Sequence, residues 1–284
     1  MSTVRATRAA PEAELRRRCE AFLSEMRQLG VTTVECKSGY GLDEPTERKL
    51  LQIYRGLESA QPSRIVSTFL GAHVVPAEMR DNRAEYIRWL VDEMIPAVAR
   101  ERLARCCDVF VEASAFTVEE ARQILGAGKK AGLAPKVHAD QLTDSGGAAL
   151  AAELGAWSAD HLEHVSDAGI AALARSGTVA VSLPFATLYL NQPPMAARKL
   201  IAAGVPVAVA TDFNPGSAPS WHLPVAMTLA CTMQRMTPAE ALKGATIFAS
   251  RAIGMEREVG SLEPGKRAAI WRSEERRVGK ECRS

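Results

Sequence analysis

A chain of 284 residues, 47% hydrophobic and 24% charged, has the composition of a globular enzyme and the length of one α/β barrel or two ordinary domains. Its formal net charge of +2 argues against a nucleic-acid or membrane-surface partner, and no apolar run reaches the roughly 18 residues of a membrane span. The six cysteines are scattered without a CxxC pair and the N-terminus lacks a signal peptide's apolar core, so we expect a cytoplasmic protein.

Strand and helix patterns alternate along the chain without a hairpin signal, which predicts βα units and a parallel sheet. The predicted strands are Val31–Cys36, Ile65–Leu70, Val109–Glu112, Lys136–Ala139, Ser158–Leu162, Val179–Leu183 and Val207–Thr211. The predicted helices are Pro11–Leu29, Glu44–Ser59, Asn82–Glu101, Val118–Ala131, Gly146–Leu154, Ser166–Arg175, Met195–Ala203 and Pro238–Phe248. A closed barrel of this type has eight strands, and this pattern gives seven. A doubly wound open sheet also fits the alternation, but it would less readily gather polar residues from many strand ends around one centre.

Polar side chains follow every predicted strand except the sixth. They are Lys37, Ser38 and Tyr40, then His73, then Glu112, then His138, Asp140 and Gln141, then Asp160 and His161, and finally Asp212, Asn214 and Ser217. The carboxyl ends of parallel strands in such folds form the edge where chemistry collects. One strand-end histidine is more often structural, and Asp212 alone fits a helix N-cap equally well. Three histidines on separate strands with an aspartate favour a metal site, because imidazole and carboxylate groups are the ligands of a catalytic zinc.

Six stretches of the sequence resemble the imidazolonepropionase family of the amidohydrolase superfamily, in the family's order. They are VRATR at Val4–Arg8, VTTVECKSGYGL at Val31–Leu42, TFLGAHVVP at Thr68–Pro76, KVHADQL at Lys136–Leu142, SADHLEH at Ser158–His164 and ATDFNPGS at Ala210–Ser217. The resemblance spans nearly all of residues 2–268. It implies a TIM-like (β/α)8 barrel of the amidohydrolase type and a hydrolase that opens the imidazolone ring of 4-imidazolone-5-propanoate, giving N-formimidoyl-glutamate in histidine degradation.

The resemblance also implies roles for individual residues. His138 and Asp212 match the family's metal ligands, which bind one Zn²⁺ or Fe³⁺ ion. Asp212 and His161 match the catalytic positions next to the attacking water. The positions that match substrate contacts are Tyr40, His73, Gln141, Asn214, Gly216 and Ser217. A small-molecule substrate is the expected partner, and a homodimer is possible.

The sequence departs from the family at both ends. It contains no HxH pair, which the superfamily has on its first barrel strand. We therefore expect that strand and most of the flanking small β-domain to be absent, and the chain by itself to be inactive and poorly stable. The predicted domains are an incomplete barrel over 1–255, the start of a return into the β-domain over 256–270, and a non-native or disordered tail over 271–284.

Two other functions remain open at this point. One is another amidohydrolase, such as a cyclic-amide hydrolase or an aminoimidazole or nucleobase deaminase, which would share the barrel and the metal. The other is a non-catalytic barrel fragment. Ammonia release would distinguish the deaminases, and the metal content would distinguish the fragment.

Overall fold

Seven parallel strands form one curved sheet in the order of the sequence, from β1 to β7. The computed structural model describes residues 2–270, so the predicted tail lies outside the described residues. The strands are Thr33–Lys37 (β1), Arg64–Ala72 (β2), Cys106–Val111 (β3), Ala134–Ala139 (β4), Ser158–His161 (β5), Val179–Ser182 (β6) and Val207–Val209 (β7). The predicted parallel barrel architecture is confirmed, as a partial barrel of seven strands.

Helices connect the strands and cover the outer face of the sheet. They are Ser2–Ala9 (α1), Glu12–Gln28 (α2), Glu44–Ala60 (α3), Arg83–Trp89 (α4), Ile95–Arg100 (α5), Val118–Lys130 (α6), Gly147–Leu154 (α7), Asp167–Ser176 (α8), Pro184–Tyr189 (α9), Ala197–Ala202 (α10), Leu223–Gln234 (α11), Pro238–Lys243 (α12) and Ala249–Ala252 (α13). A 3₁₀ helix spans Ala77–Asn82, and π-helical turns span Leu90–Met94 and Gly244–Phe248. None of the described helices is long and apolar enough to cross a membrane.

Local sequence explains how these helices begin. Thr117 accepts a hydrogen bond from the backbone N–H of Glu120, whose side chain bonds back to the Thr117 N–H, so α6 starts with a capping box. Helix α5 contains Pro96 in its first turn, where the missing N–H of a proline is tolerated. The π-helical turn Leu90–Met94 lies just before it, and the N–H of Ile95 donates to the carbonyl of Leu90.

The main hydrophobic core lies between the helices and the outer face of the sheet. Leu51 from α3, Phe69 from β2 and Ile124 from α6 are among its fully buried members. Charged side chains occupy the inner face instead. The strand register sets Phe110 beside His138, and His138 beside Asp160, so inward-facing residues of neighbouring strands lie at the same height.

The two edges of the sheet are joined by aromatic side chains. Phe22 of α2 packs against Phe213 and Trp221, both of which follow β7, with ring centroids 4.8 and 5.1 Å away. Phe213 and Trp221 are 5.0 Å apart, which completes an aromatic trio. Residues 256–270 run through turns, and the predicted division into domains stays a prediction.

Candidate active site

Three imidazole rings lie side by side at the carboxyl ends of the strands. The ring centroids of His73 and His138 are 6.2 Å apart, and those of His138 and His161 are 5.3 Å apart. Tyr40 extends the row, 5.4 Å from His73. Asp212 follows β7 at the same edge of the sheet, and its charge adds to the effect of burial in raising the pKa of Tyr40, so we group it with these residues. We call these five residues the rim cluster.

The backbone fixes the tautomer of His73. Nδ1 lies 3.0 Å from the carbonyl oxygen of Gly39, and because a carbonyl can only accept, Nδ1 bears the proton. Burial lowers the pKa of His73 to about 4, and His138 contributes a smaller effect, so the ring is neutral near pH 7. Nε2 of His73 therefore presents a lone pair that can accept a hydrogen bond from a substrate N–H group.

One buried carboxylate organises the loop that contains Tyr40. Glu47, in the first turn of α3, accepts hydrogen bonds from the backbone N–H groups of Gly39, Gly41 and Leu42 at 2.8 to 3.0 Å. Burial raises the pKa of Glu47, and these hydrogen bonds oppose the rise. A polar loop of this kind needs such an acceptor, because its N–H groups have no strand partner.

The barrel interior beneath the rim cluster contains a group of buried charges. Nζ of Lys37 lies 2.6 Å from Oδ2 of Asp108 and 2.5 Å from Oδ2 of Asp160. Nζ of Lys136 lies 2.9 Å from Oε2 of Glu35. We call these five residues the interior charge cluster. Two lysines and three carboxylates leave it one negative charge in excess, directly below His138.

Asp108 lies behind the imidazole of His138. Its Oδ2 is 3.0 Å from Nδ1 of His138, although the direction is poor for a hydrogen bond. Desolvation raises the pKa of Asp108, but interactions with His138 and Lys37 outweigh it and hold that pKa below its usual value. Ligand atoms of Asp108, His138 and Asp160 all lie within 4.8 Å of one another, which is a metal-like grouping. Lys37 already forms ion pairs with both of its carboxylates, so we interpret them as supports for His138.

Asp212 differs from Asp108 and Asp160 in its ion pairing. Within residues 2–270 it has no ion-pair partner, and its Oδ2 accepts a hydrogen bond from Nδ2 of Asn214 at 3.2 Å. Desolvation raises its pKa to about 6, against opposing effects of His138 and Lys37. A desolvated carboxylate without a countercharge, next to an imidazole, has the donor chemistry that a Zn²⁺ or Fe³⁺ ion takes. The assignment of His138 and Asp212 as the metal ligands stays a prediction.

The loop after Asp212 is closed by its own hydrogen bonds. Oδ1 of Asn214 accepts from the backbone N–H groups of Gly216 and Ser217, both at 2.8 Å. Nδ2 of Asn214 donates to the carbonyl of Asp212 at 2.7 Å and to Oγ of Ser217 at 3.1 Å. Gly216 is exposed and its two neighbours in this network are half-buried. The loop is adjacent to Asp212, but its N–H groups are already bonded internally.

His161 and Gln141 are both buried at the ends of neighbouring strands. Burial lowers the pKa of His161 well below its usual value, so the ring stays neutral, and His138 adds to this effect. Gln141 follows β4 and forms no side-chain hydrogen bond within the described part of the chain. Its amide is therefore free to contact a ligand.

Two acidic residues predicted at this edge support loops instead. The carboxylate of Asp140 accepts hydrogen bonds from the N–H groups of Gly147 and Ala148 at 2.9 and 3.1 Å, which caps α7. Glu112 accepts from the N–H of Leu142 at 2.9 Å and also bonds Thr143. Both carboxylates fix the path of the chain on either side of Gln141.

Sequence reasoning missed Asp108 and Glu163. Asp108 stands within the apolar strand CCDVFV, and a lone acid in a buried strand needs a partner, so that signal was available. Glu163 follows His161 closely, and nothing in the local pattern indicates that its side chain is buried.

A model of the amidohydrolase family matches residues 10–271. The chain belongs to the amidohydrolase family. Members of this family are metal-dependent, and the structure brings ligand atoms of Asp108, His138 and Asp160 within 4.8 Å of one another.

Curated relatives of this amidohydrolase have a common name. Proteins named imidazolonepropionase from Geobacillus kaustophilus and Symbiobacterium thermophilum are 52% and 53% identical over 269 and 272 residues. Each match covers 95% of this chain, and 63% and 64% of the relative. The imidazolonepropionase of Shewanella baltica is 47% identical, and 67% of it is covered. The chain thus spans slightly less than two thirds of the first two relatives.

Solved structures agree on the fold of this amidohydrolase. A triazine hydrolase variant matches with a TM-score of 0.71 and 16% identity, over 90% of this chain and 63% of that one. An adenosine deaminase from Xanthomonas campestris with bound zinc matches with a TM-score of 0.69 and 18% identity, over 92% of this chain and 62% of that one. At this identity the likeness shows the barrel fold only.

Proposed function

We propose that the rim cluster belongs to an imidazolonepropionase active site, which hydrolyses 4-imidazolone-5-propanoate to N-formimidoyl-L-glutamate in the cytoplasm. The observation that supports this substrate is about 50% identity over 95% of the chain to relatives with that name. The convergence of three imidazoles with Asp212 supports hydrolysis at this place. The small-molecule substrate is the partner in this proposal.

The metal in this proposal is one Zn²⁺ or Fe³⁺ ion, held by His138 and Asp212 with further ligands from the whole protein. When bound, such an ion supplies Lewis-acid chemistry to the attack of water on the ring. Asp108 behind Nδ1 of His138 leaves Nε2 for the ion, as carboxylates behind metal-binding histidines commonly do.

Proton transfers are assigned to Asp212 and His161. In the reaction, water adds to the ring carbonyl carbon, the carbonyl C–N bond breaks, and the departing ring nitrogen takes a proton. Asp212 has a pKa near 6, so it is ionised at neutral pH and can accept the proton of water. His161 is neutral and can pass that proton to the leaving nitrogen.

Substrate contacts are assigned to both sides of the rim cluster. His73 and Gln141 bind the ring, where the lone pair of His73 accepts from a ring N–H group. Tyr40 and the Asn214–Ser217 loop bind the propanoate carboxylate. This carboxylate can accept hydrogen bonds from the N–H groups of Gly216 and Ser217 in place of Oδ1 of Asn214.

The experiment is a chimera with the Geobacillus kaustophilus relative. The 269 matching residues of that protein are replaced by those of this chain, and imidazolone consumption is followed by absorbance together with metal content. We expect turnover. Asp212→Asn should lower kcat by at least about a hundredfold and reduce bound metal. Gln141→Ala should raise KM about tenfold and leave the metal content unchanged.

The outcomes separate the alternatives. A folded, metal-loaded chimera that leaves imidazolone intact would overturn the proposal. Release of ammonia from aminated heterocycles, without imidazolone turnover, would favour a deaminase. Equal metal loss in the Asp212 and Gln141 variants would contradict the division between metal ligand and substrate contact.

A further inference from the structure

Two buried polar atoms without hydrogen-bond partners face each other at the end of β5. Nδ1 of His161 and Oε2 of Glu163 are 3.9 Å apart, and both atoms lack any other partner among the described residues. The side chains are 3% and 1% exposed, so water does not satisfy them. A buried donor or acceptor left unpaired is costly, and one that faces its complement indicates a bond that forms.

The backbone brings these two side chains together at some cost. His161 and Leu162 have φ angles of +83° and +66°, two consecutive left-handed residues that are not glycine. Such strain persists where the surrounding structure requires it, often at functional sites. The resulting turn folds residue 163 back under the imidazole, which an extended continuation of β5 would not do.

The opposite oxygen of Glu163 is fixed by another element. Oγ1 of Thr187, on α9, donates to Oε1 of Glu163 at 2.7 Å. Because Oε1 is occupied, Oε2 is the oxygen left for His161. A side-chain rotation that shortens the 3.9 Å separation by about 1 Å would complete the bond.

We propose that Glu163 is a positioning residue that sets the tautomer of His161. The ionised carboxylate accepts a hydrogen bond from Nδ1–H of His161, which leaves the Nε2 lone pair facing the rim cluster. A neutral imidazole has one N–H group, so a partner that only accepts decides which nitrogen bears the proton. The same arrangement occurs independently at His138, where Asp108 lies behind Nδ1.

The charge state of Glu163 makes this control dependent on pH. Desolvation raises the pKa of Glu163 to about 7, the Thr187 hydrogen bond opposes it, Asp212 raises it and His164 lowers it. Above that pH the carboxylate accepts from Nδ1–H. Below it the acid can donate to Nδ1 instead, and the proton of His161 moves to Nε2. Glu163 thus couples the tautomer of His161 to pH near neutrality.

The experiment measures the tautomer directly in the 284-residue chain labelled with ¹⁵N-histidine. Long-range ¹H–¹⁵N spectra distinguish a protonated ring nitrogen from an unprotonated one, and His161→Asn assigns the signals. We expect the Nδ1–H form at about pH 8 and a shift toward Nε2–H at about pH 6. A His161 that keeps one tautomer through this range would overturn the proposal, and this test needs no variant at Glu163.

Variants then assign the effect to Glu163. Glu163→Gln should remove the pH dependence of the tautomer, whereas Glu119→Gln, the same change at an exposed position of α6, should leave it. A tautomer that still titrates in Glu163→Gln would contradict the assignment.

A role for His161 and Glu163 in catalysis rests on the proposed function, but the control of the His161 tautomer by Glu163 does not. In the chimera, Glu163→Gln should lower kcat about tenfold or more at about pH 8, with KM little changed. A pH-dependent tautomer in a chimera that does not hydrolyse imidazolone would refute the function alone. Hydrolysis with a fixed tautomer would refute the role of Glu163 alone.

Discussion

Single residues inside this barrel are held by partners from distant strands. Lys37 on β1 binds Asp108 on β3 and Asp160 on β5, across 71 and 123 positions of sequence. Asp108 is fully buried, and the Asp160 side chain is 5% exposed. Two carboxylates at such depth stay ionised because cationic groups lie close to them. Lys37 contacts both carboxylates, Lys136 also lowers the pKa of Asp160, and His138 also lowers the pKa of Asp108.

Lys37→Met should destabilise the fold by about 3 kcal/mol, because it removes the ammonium group that contacts two buried carboxylates. Urea unfolding measures the change. Adding Asp160→Asn in the same chain should recover part of the loss, since one of the two charges is then gone. Lys199→Met is the matched control. Its ion pair with Asp167 is exposed and should contribute less than about 1 kcal/mol. Equal losses at Lys37 and Lys199 would be inconsistent with the interior charge cluster.

Glu163 should make folding stability fall as pH rises. Its folded pKa of about 7 is above the usual 4.5, so the folded state binds more protons than the unfolded state between these values. Relative to Glu163→Gln, the wild type should lose about 3 kcal/mol between about pH 4.5 and pH 8. Urea unfolding at several pH values tests this, with Glu119→Gln as control. A stability difference that does not change with pH would refute the raised pKa.

The backbone is strained where three of the strands end, and the loops that follow hold it in this conformation. Asp140, His161 and Asp212 follow or end three different strands, and their φ angles are +50°, +83° and +55°. Left-handed backbone at non-glycine residues costs free energy, and aspartate tolerates it better than most residues. Each turn directs the chain sharply away from its strand, so that polar groups concentrate at one edge of the sheet.

Asp140→Ala should destabilise the protein by about 2 kcal/mol, because it removes the acceptor for the first N–H groups of α7 and a residue that suits left-handed backbone. Asp140→Asn should lose less stability, since the amide oxygen of asparagine can still accept a hydrogen bond from these N–H groups. Asp144→Ala is the control, an exposed aspartate in the same loop. Thermal and urea unfolding provide the comparison, and similar losses at both aspartates would argue against the cap.

The elements themselves were largely predictable, whereas some of their boundaries were not. Capping residues and apolar periodicity placed most helices within a few residues. Helix α11 was missed, because its sequence LPVAMTLACTMQ is apolar on nearly every side and shows little periodicity. The sequence predicts that strand β3 begins at Val109, but it begins at Cys106, so Asp108 lies inside the strand and not before it.

At the scale of the whole molecule, seven strands share one sheet, and the strands at its two edges have fewer pairing partners than those at its centre. Among the described residues, β1 pairs only with β2 and β7 only with β6. The alternation of strands and helices predicted this order, and strand-end polarity predicted the rim cluster. The ion pairs of Lys37 and the partners of Glu163 depend on which strands become neighbours in space, and local sequence does not contain that information.

Amide hydrogen exchange should be slower at the centre of the sheet than at its two edges. We expect the slowest exchange in β3, β4 and β5, whose N–H groups lie between neighbouring strands, and faster exchange in β1 and β7. Mass spectrometry or NMR of the native chain measures it, with the central strands as internal reference. Protection of β7 equal to that of β4 would indicate that a further pairing covers the edge.

The aromatic trio has a consequence for the order of folding. Phe22 and Trp221 are about 200 positions apart in sequence, so their contact closes about three quarters of the described chain into one loop. Such closure is unfavourable until the intervening βα units have formed, because each unit shortens the distance to be closed. We therefore expect the trio to assemble late, and the Asp212 loop beside it to settle only then. The indole of Trp221 is a natural fluorescent reporter of that final step.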